Sequence, residues 1–524
     1  MKHTKLVLAI AATLTATASF SALAMDLYVD SKTKQVFTVP GKGRVLLNDS
    51  ANANVKSGHT PFVPAPYVAP TAAADLDSIK KDLELKTNEI KALEEHVVAN
   101  KEVTAKNDEK WFNKLSLRGY TQLRFNQPIS GDRTASDPEL TSPGDSLGIH
   151  DNAGFSFRRV RLVFSGDITD NLYVYIQPDF GTSVKGSGVD DANNFAQLRD
   201  AYADLSYDKK HEYRIRAGQS KVPFGWENLQ SSQNRLALDR NDALNSAVPS
   251  ERDLGLFAYW SPEHVQKLWK SMTKKGLKTS GDYGIVGVGV YNGGGLNRTE
   301  LNDDLYTVVH TTYPVELNFL GGMFKGQVLE VGADAISGSF TPTVGAASVF
   351  GRSSSKGIKL SAAAVPASGT TAAVAAVHGV SAKNITEERV ALHAILFPQP
   401  FGLQAEWNWG NGATLNPNAN GGNGAIERQQ LTGGYVQASY KIDNVFRADG
   451  YLQPYLKWQT YRGAWKAATN SPMTSVDEVE AGVEYQYSKA IELTLAYSMM
   501  DRTNTKNLGQ ASGDMGRAQL QWNY

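Results

Sequence analysis

The chain has 524 residues, with 53 basic and 53 acidic side chains and no cysteine. That balance lacks the net basic footprint of a nucleic-acid binder, and missing thiols exclude both a disulfide framework and a thiolate metal site. The length admits two or three soluble domains or one large barrel, and a negative mean hydropathy suits a wall in which only alternate residues face lipid.

Lys2 and Lys5 precede a small, apolar run from Leu6 to Phe20, which ends near the A-x-A site Ala22-Leu23-Ala24. This pattern predicts a secretory signal peptide over residues 1–24, with the mature chain starting at Met25 and close to neutral. No other run has the apolar length that a membrane helix needs. Residues 25–74 read as a polar, irregular periplasmic leader, proline-rich at Pro61, Pro64, Pro66 and Pro70. Pro40-Gly41-Lys42-Gly43-Arg44 lacks the full spacing of a phosphate-binding loop and reads as a turn.

Residues 75–106 read as a helix. Leu76, Leu83, Ile90 and Val97 occupy heptad a positions; Ile79, Lys86, Leu93 and Asn100 occupy d. Asp75 is placed to cap the start. The stripe fits either an amphipathic helix lying on its own protein or a short periplasmic oligomerisation coil. In the coil, polar Lys86 and Asn100 fix register at some cost in stability.

From Leu115 the period changes to two. Sixteen strands are predicted near 114–126, 155–167, 171–180, 196–207, 212–221, 252–260, 282–291, 304–316, 327–337, 387–397, 401–410, 431–442, 450–460, 475–487, 490–501 and 515–524. In the second strand Val160, Leu162, Phe164, Gly166 and Ile168 form an apolar face, opposite Arg159, Arg161, Val163, Ser165 and Asp167. Tight connections at 167–171, 207–212, 398–400 and 488–490 alternate with long polar ones at 127–154, 181–195, 222–251, 338–386, 411–430, 461–474 and 502–514. Even strand number with alternating loop length is the pattern of an all-β transmembrane barrel of about sixteen antiparallel strands, here over 114–524, in a bacterial outer membrane. A soluble β-sandwich shares the alternation but leaves the loop lengths unexplained. The 261–281 connection breaks the rule: it is long where a short turn belongs, with Val265, Leu268, Trp269 and Met272 at helical spacing. It reads as a periplasmic helix or as a fault in strand register. The last strand alternates Ala518, Leu520, Trp522 and Tyr524 against polar residues, and its aromatic end resembles the outer-membrane assembly signal.

Placing the apolar parity outward gives a charge map of the lumen. Arg118, Arg124, Arg159, Arg161 and Arg517 are expected to form one basic arc, extended by Arg214 and Arg216 and interrupted by Asp200 and Asp204. Glu330, Asp334, Glu406, Glu478, Glu480, Glu484 and Glu492 form an opposing acidic wall, with Arg389, His393 and Lys457 as cationic exceptions. Such a wall sets up a transverse field, while each arginine offers the planar donor fork that suits phosphate or carboxylate. Cross-strand pairing that merely solvates the wall is the plainer alternative. The 222–251 loop is the best constriction candidate. With its flanks it supplies Lys221, Glu227, Arg235, Asp239, Arg240, Asp242, Glu251 and Arg252, which set the narrowest section if the loop folds inward and are plain surface if it does not. The 338–386 loop carries Arg352, Lys356 and Lys359 without a chemical signature.

Phe157-Arg158-Arg159-Val160-Arg161, Gly218-Gln219-Ser220-Lys221-Val222-Pro223-Phe224-Gly225, Arg252-Asp253-Leu254-Gly255 and Tyr291-Asn292-Gly293-Gly294-Gly295 follow in order. This series resembles the phosphate-selective porin O and P family over roughly 114–524. The resemblance implies a trimeric, sixteen-stranded barrel whose lumen arginines and lysines conduct phosphate or other anions, with Arg159, Arg161, Lys221 and Arg252 inside matching motifs. The inward acids and scarce strand lysines depart from that pattern and bear on selectivity more than on channel function.

The sequence thus predicts a passive porin for small hydrophilic solutes, with a preference for anions such as phosphate. It would stand in outer-membrane lipid as a homotrimer, with cell-wall contact through the N-terminal segment and no nucleic-acid partner. Alternatives are a non-selective or cation-leaning porin with a structural tether, or a barrel enzyme. For the enzyme, His150, His211, His264, His310, His378 and His393 fall in no motif and no G-x-S-x-G occurs. Neither a cofactor, a metal site nor a catalytic residue is expected.

Overall fold

The computed structural model describes residues 28–30, 36–37, 44–46, 80–81, 83–95, 110–131, 153–181, 196–344, 383–416, 419, 425–446, 449–468, 470–504 and 509–524. The expected signal peptide lies outside these residues, as do most of the leader, residues 75–79, 82 and 96–106 of the expected coil, and Arg352, Lys356 and Lys359. The chain divides into a unit of residues 1–97 and one of residues 98–524.

In the first unit Tyr28–Asp30 pairs antiparallel with both Val36–Phe37 and Arg44–Leu46. The leader is therefore not irregular throughout; runs of two or three residues are too short for periodicity to reveal. Residues 80–81 and 83–95 are helical, and Leu83, Ile90 and Leu93 of the heptad stripe are exposed.

The second unit is a closed barrel of sixteen antiparallel strands. In chain order they are β1 Ser116–Gly131, β2 Gly154–Thr169, β3 Leu172–Asp179, β4 Gln197–Ser206, β5 Tyr213–Lys221, β6 Arg252–Trp260, β7 Val286–Tyr291 and β8 Tyr306–Glu316. Then follow β9 Val328–Phe340, β10 Ile385–Leu396, β11 Phe401–Asn416, β12 Ala425–Tyr440, β13 Tyr451–Ala464, β14 Met473–Ser488, β15 Ile491–Asn504 and β16 Gly509–Asn523, with Ile442–Asp443 prolonging the β12 edge against β13. Each strand pairs with its sequence neighbour and β16 pairs with β1, so no edge is left open. Tyr524 completes the seam through paired backbone bonds with Gly119.

Alternation decides which way each strand faces. Leu198, Leu205, Ile215, Leu254, Leu256, Val288, Val390 and Leu456 are exposed on the outside, as a lipid-facing wall requires. Most of their sequence neighbours, such as Asp204, Arg216, Asp253, Phe257, Arg389 and Lys457, are polar, charged or aromatic and are buried inside. A β-bulge at Arg158 sets Leu123 opposite Phe157 and Gln122 opposite Arg159, so the parity of β2 reverses there. Phe155 and Phe157 consequently join Val160 and Leu162 on the outer side. No helix among the described residues is long and apolar enough to cross a membrane.

Two expected loops are largely strand: β11 and β12 extend through 411–416 and 425–430, and β15 and β16 absorb most of 502–514; in the 461–474 loop β13 runs on to Ala464 and β14 begins at Met473. Their polar residues on both faces hid the alternation. The 261–281 connection does contain a helix, so the helical spacing there was real.

Candidate functional site

The 222–251 segment folds into the barrel. It contains two one-turn helices, α1 Trp226–Leu229 and α2 Asp242–Asn245. Val222, Phe224, Ala243, Leu244, Ala247 and Val248 form an apolar cluster with inward residues of the wall, among them Phe257, Tyr306, Ile336 and Tyr461. Gly225, at φ +83°, makes the turn into α1. Gly433 on β12 lacks the Cβ that would fall 2.9 Å from that of Ala243, so α2 lies flat on the wall.

Carboxylates of the wall hold this loop by its backbone. Asp334 accepts from Gly225 N–H at 2.8 Å, and Glu406 accepts from the N–H groups of Trp226 and Glu227. Glu330 takes the indole N–H of Trp226 at 3.1 Å. Lys457 pairs with Glu227, whose other oxygen accepts from Asn241 N–H at 2.7 Å. Arg502 grips Asp242 with two bonds of 2.9 and 2.8 Å and also reaches Glu478 at 3.1 Å.

The expected arc and acidic wall are therefore not two separated poles. Arg124 donates to Asp239 at 3.2 Å and to Leu238 C=O at 3.0 Å. Arg517 bridges Asp239 and Glu480 and lies 3.6 Å from Glu478. Glu480 also accepts from Tyr455 at 2.8 Å, while Glu484 accepts from Tyr451 at 2.9 Å. Arg161 pairs with Asp179 at 2.6 Å and donates to the Tyr120 hydroxyl at 2.9 Å. Arg216 holds Asp204 with bonds of 2.7 and 2.8 Å and lies 3.8 Å over the Tyr202 ring. Arg214 pairs with Asp282 at 2.7 Å. The inserted loop brings opposite charges within reach that a bare cylinder would keep apart, and burial makes each pair geometrically demanding.

Arg199, Arg240 and Arg252 converge on Glu251, at 3.2, 2.7 and 2.7 Å, and Arg252 also holds Asp200. Burial pushes the Glu251 carboxyl upward, but these guanidiniums outweigh it and hold the group well below the usual carboxylate range. Ser250 and Glu251 have left-handed φ values of 60° and 65°, a conformation that side-chain anchoring must offset.

Two buried guanidiniums stand apart from this pairing. Arg159 donates to Gln122 at 2.8 Å and Arg235 to Leu238 C=O at 3.1 Å, and neither has a carboxylate within 4.0 Å among the described residues. The Nε of each is buried without a partner. The fields acting most on Arg159 come from other guanidiniums, those of Arg158, Arg235 and Arg161. Among the described residues Lys221 donates only to the carbonyls of Leu229 and Gln230, at 2.9 and 2.7 Å.

Arg118 is exposed and lies away from the buried part of the arc, 5.9 Å over the Tyr175 ring. It lines a cavity of about 230 Å³ with Arg216, Lys221 and Arg252, where the carboxylates are Asp200 and Asp282. Sequence reasoning missed Asp179, Arg502 and Lys278. Continued alternation past 501 would have found Arg502, and alternation with Gln177 in the 171–180 strand would have found Asp179; no local pattern marks Lys278.

A closed antiparallel barrel, apolar outside and charged within, with an inward loop narrowing its lumen, defines an outer-membrane channel. The chain belongs to the phosphate-selective porin O and P family, whose profile matches residues 133–524. No curated protein matches the sequence. Similar solved structures include the DcaP channel of Acinetobacter baumannii, with 15% identity, 78% of this chain and 97% of that one covered, and TM-score 0.43. Salmonella typhi OmpF in complex with daunomycin has 13% identity over 79% and 98% of the chains, with TM-score 0.46. An anion-selective porin from Comamonas acidovorans has 10% identity over 78% and 99%, with TM-score 0.38.

Proposed function

We propose that the protein is a diffusion porin that favours small hydrophilic anions, phosphate among them. On this reading it is exported by the 1–24 signal peptide and assembles as a homotrimer, with the N-terminal segment contacting the cell wall. The observation that carries the anion preference is Arg159, buried in the lumen among other guanidiniums with no carboxylate within 4.0 Å among the described residues, beside Arg235, which likewise forms no ion pair among them. Uncompensated buried charge is costly, and a passing anion relieves that cost transiently. Arginine is suited to the task because its planar fork presents paired donors to oxyanions. The wall acids support the same reading, since most are engaged by the loop or by neighbouring cations, while the cavity beside Arg118 keeps an excess of cations.

The experiment is single-channel recording in chloride with inorganic phosphate added. Phosphate is expected to reduce the chloride current in a saturable manner, and Arg159→Gln with Arg235→Gln to weaken that block about tenfold, equivalent to ~1.4 kcal/mol. Phosphate block that is absent, or identical in the double variant, contradicts the reading. A reversal potential on the cation side returns the protein to the general-porin alternative.

A further inference from the structure

The β6–β7 connection, residues 261–285, lies on the side of the short turns yet does not act as a turn. Its helix α3, Glu263–Lys274, buries Val265, Gln266, Trp269 and Met272. Val265, Trp269, Met272 and Leu277 pack with Trp226 of the inserted loop and with Val328, Ile395 and Phe397 of the wall. Trp269 donates its indole N–H to Glu330 at 3.2 Å, the carboxylate that also takes the Trp226 indole. Gln230 of the loop donates to the Lys278 carbonyl at 2.9 Å. The connection therefore enters the barrel mouth and meets the constriction loop from the opposite end.

Beyond the helix, Lys278 reaches to the far side of the barrel. Its ammonium lies 2.7 Å from Glu484 on β14 and 3.2 Å from Glu492 on β15. These carboxylates are diagonal neighbours on the inner face, since Glu484 stands opposite Thr494 and Gln486 opposite Glu492. Burial works against the charge of Lys278, but the two carboxylates outweigh it and hold its pKa above the ordinary lysine value.

We propose that the β6–β7 connection is a selectivity element, which occupies the acidic half of the lumen and, through Lys278, screens Glu484 and Glu492 from permeating ions. The inference rests on the reading of the protein as a porin. It adds a residue outside the strands and outside the arginine set to those that determine charge preference. Two carboxylates with one ammonium leave a weak local field; the same carboxylates alone would draw cations into that half of the mouth.

The test uses the full-length channel in planar bilayers under a potassium chloride gradient. Lys278→Gln is expected to shift the potassium-to-chloride permeability ratio roughly fivefold toward potassium. Lys278→Arg should leave the ratio unchanged, and Glu484→Gln with Glu492→Gln added to Lys278→Gln should reverse the shift. Glu484→Gln with Glu492→Gln alone frees the ammonium and should move the ratio toward chloride, so the inference stays testable if Lys278→Gln does not assemble. An unchanged ratio in Lys278→Gln, or a shift that persists in the triple variant, overturns the proposal. Because each result is a change relative to wild type, a wild-type channel without anion preference would defeat the porin's assigned selectivity and leave this test intact.

Discussion

The two halves of the lumen are built from similar strands but spend their charges differently. On the β9–β15 side, Glu330, Asp334, Glu406, Glu480, Glu484 and Glu492 accept bonds from inserted segments or from neighbouring strands. On the β1–β6 side, cations outnumber the carboxylates that line the open cavity, and Arg159 and Arg235 form no ion pair among the described residues. The lesson is that counting inward charges does not give the sign of a pore. What matters is which charges are already satisfied when the loops are in place, because a paired buried charge presents little field to a passing ion.

The largest effect expected from disturbing this division comes from the loop anchors. Asp334→Ala with Glu406→Ala leaves the backbone donors of α1 unsatisfied, at about 1–3 kcal/mol for each group. The loop should then leave the wall, and single-channel conductance should rise severalfold; unchanged conductance would mean that α1 is held by packing alone.

Next in size is Glu251. Replacing it by Gln removes the shared partner of Arg199, Arg240 and Arg252, at roughly 3–5 kcal/mol for a broken buried pair. Its depressed pKa sets the direction of a pH effect. The stabilisation is complete above the unfolded value of about 4.3 and fades as pH falls from there through the folded value. Channel noise should therefore grow in wild type only at pH well below the usual carboxylate range, where the folded group takes up its proton. In Glu251→Gln it should already be present at neutral pH, and a wild-type channel equally quiet at both pH values would remove this role.

A smaller contrast separates paired from unpaired arginines. Arg161→Gln with Asp179→Asn, which removes a buried ion pair together, moves charge preference by less than Arg159→Gln in the same reversal-potential assay. Equal shifts would show that pairing does not mute a lumen arginine.

Much of the barrel was legible in the chain because lipid outside and water inside impose period two on every strand. The inward sides of Arg159, Arg161, Arg517 and the acidic strands followed from that rule, as did the helix at 263–274 from its apolar spacing. What escaped the sequence depends on partners far apart in it. Asp239 lies 278 positions from Arg517, and Lys278 lies 206 from Glu484; no local pattern records such meetings. The expected transverse field failed for that reason: it treated the loop as a constriction and did not supply the counter-charges that the loop carries. The bulge at Arg158 also escaped, because one extra residue in a strand leaves no mark beyond a broken parity.

The central claim is that unpaired lumen guanidiniums, and not the total of inward charges, set ion preference. The most direct measurement is the zero-current potential of the wild-type channel and of Arg159→Gln/Arg235→Gln across one potassium chloride gradient. The account predicts an anion-side potential in wild type that moves toward zero in the double variant. A cation-side potential in wild type, or the same potential in both channels, would contradict it.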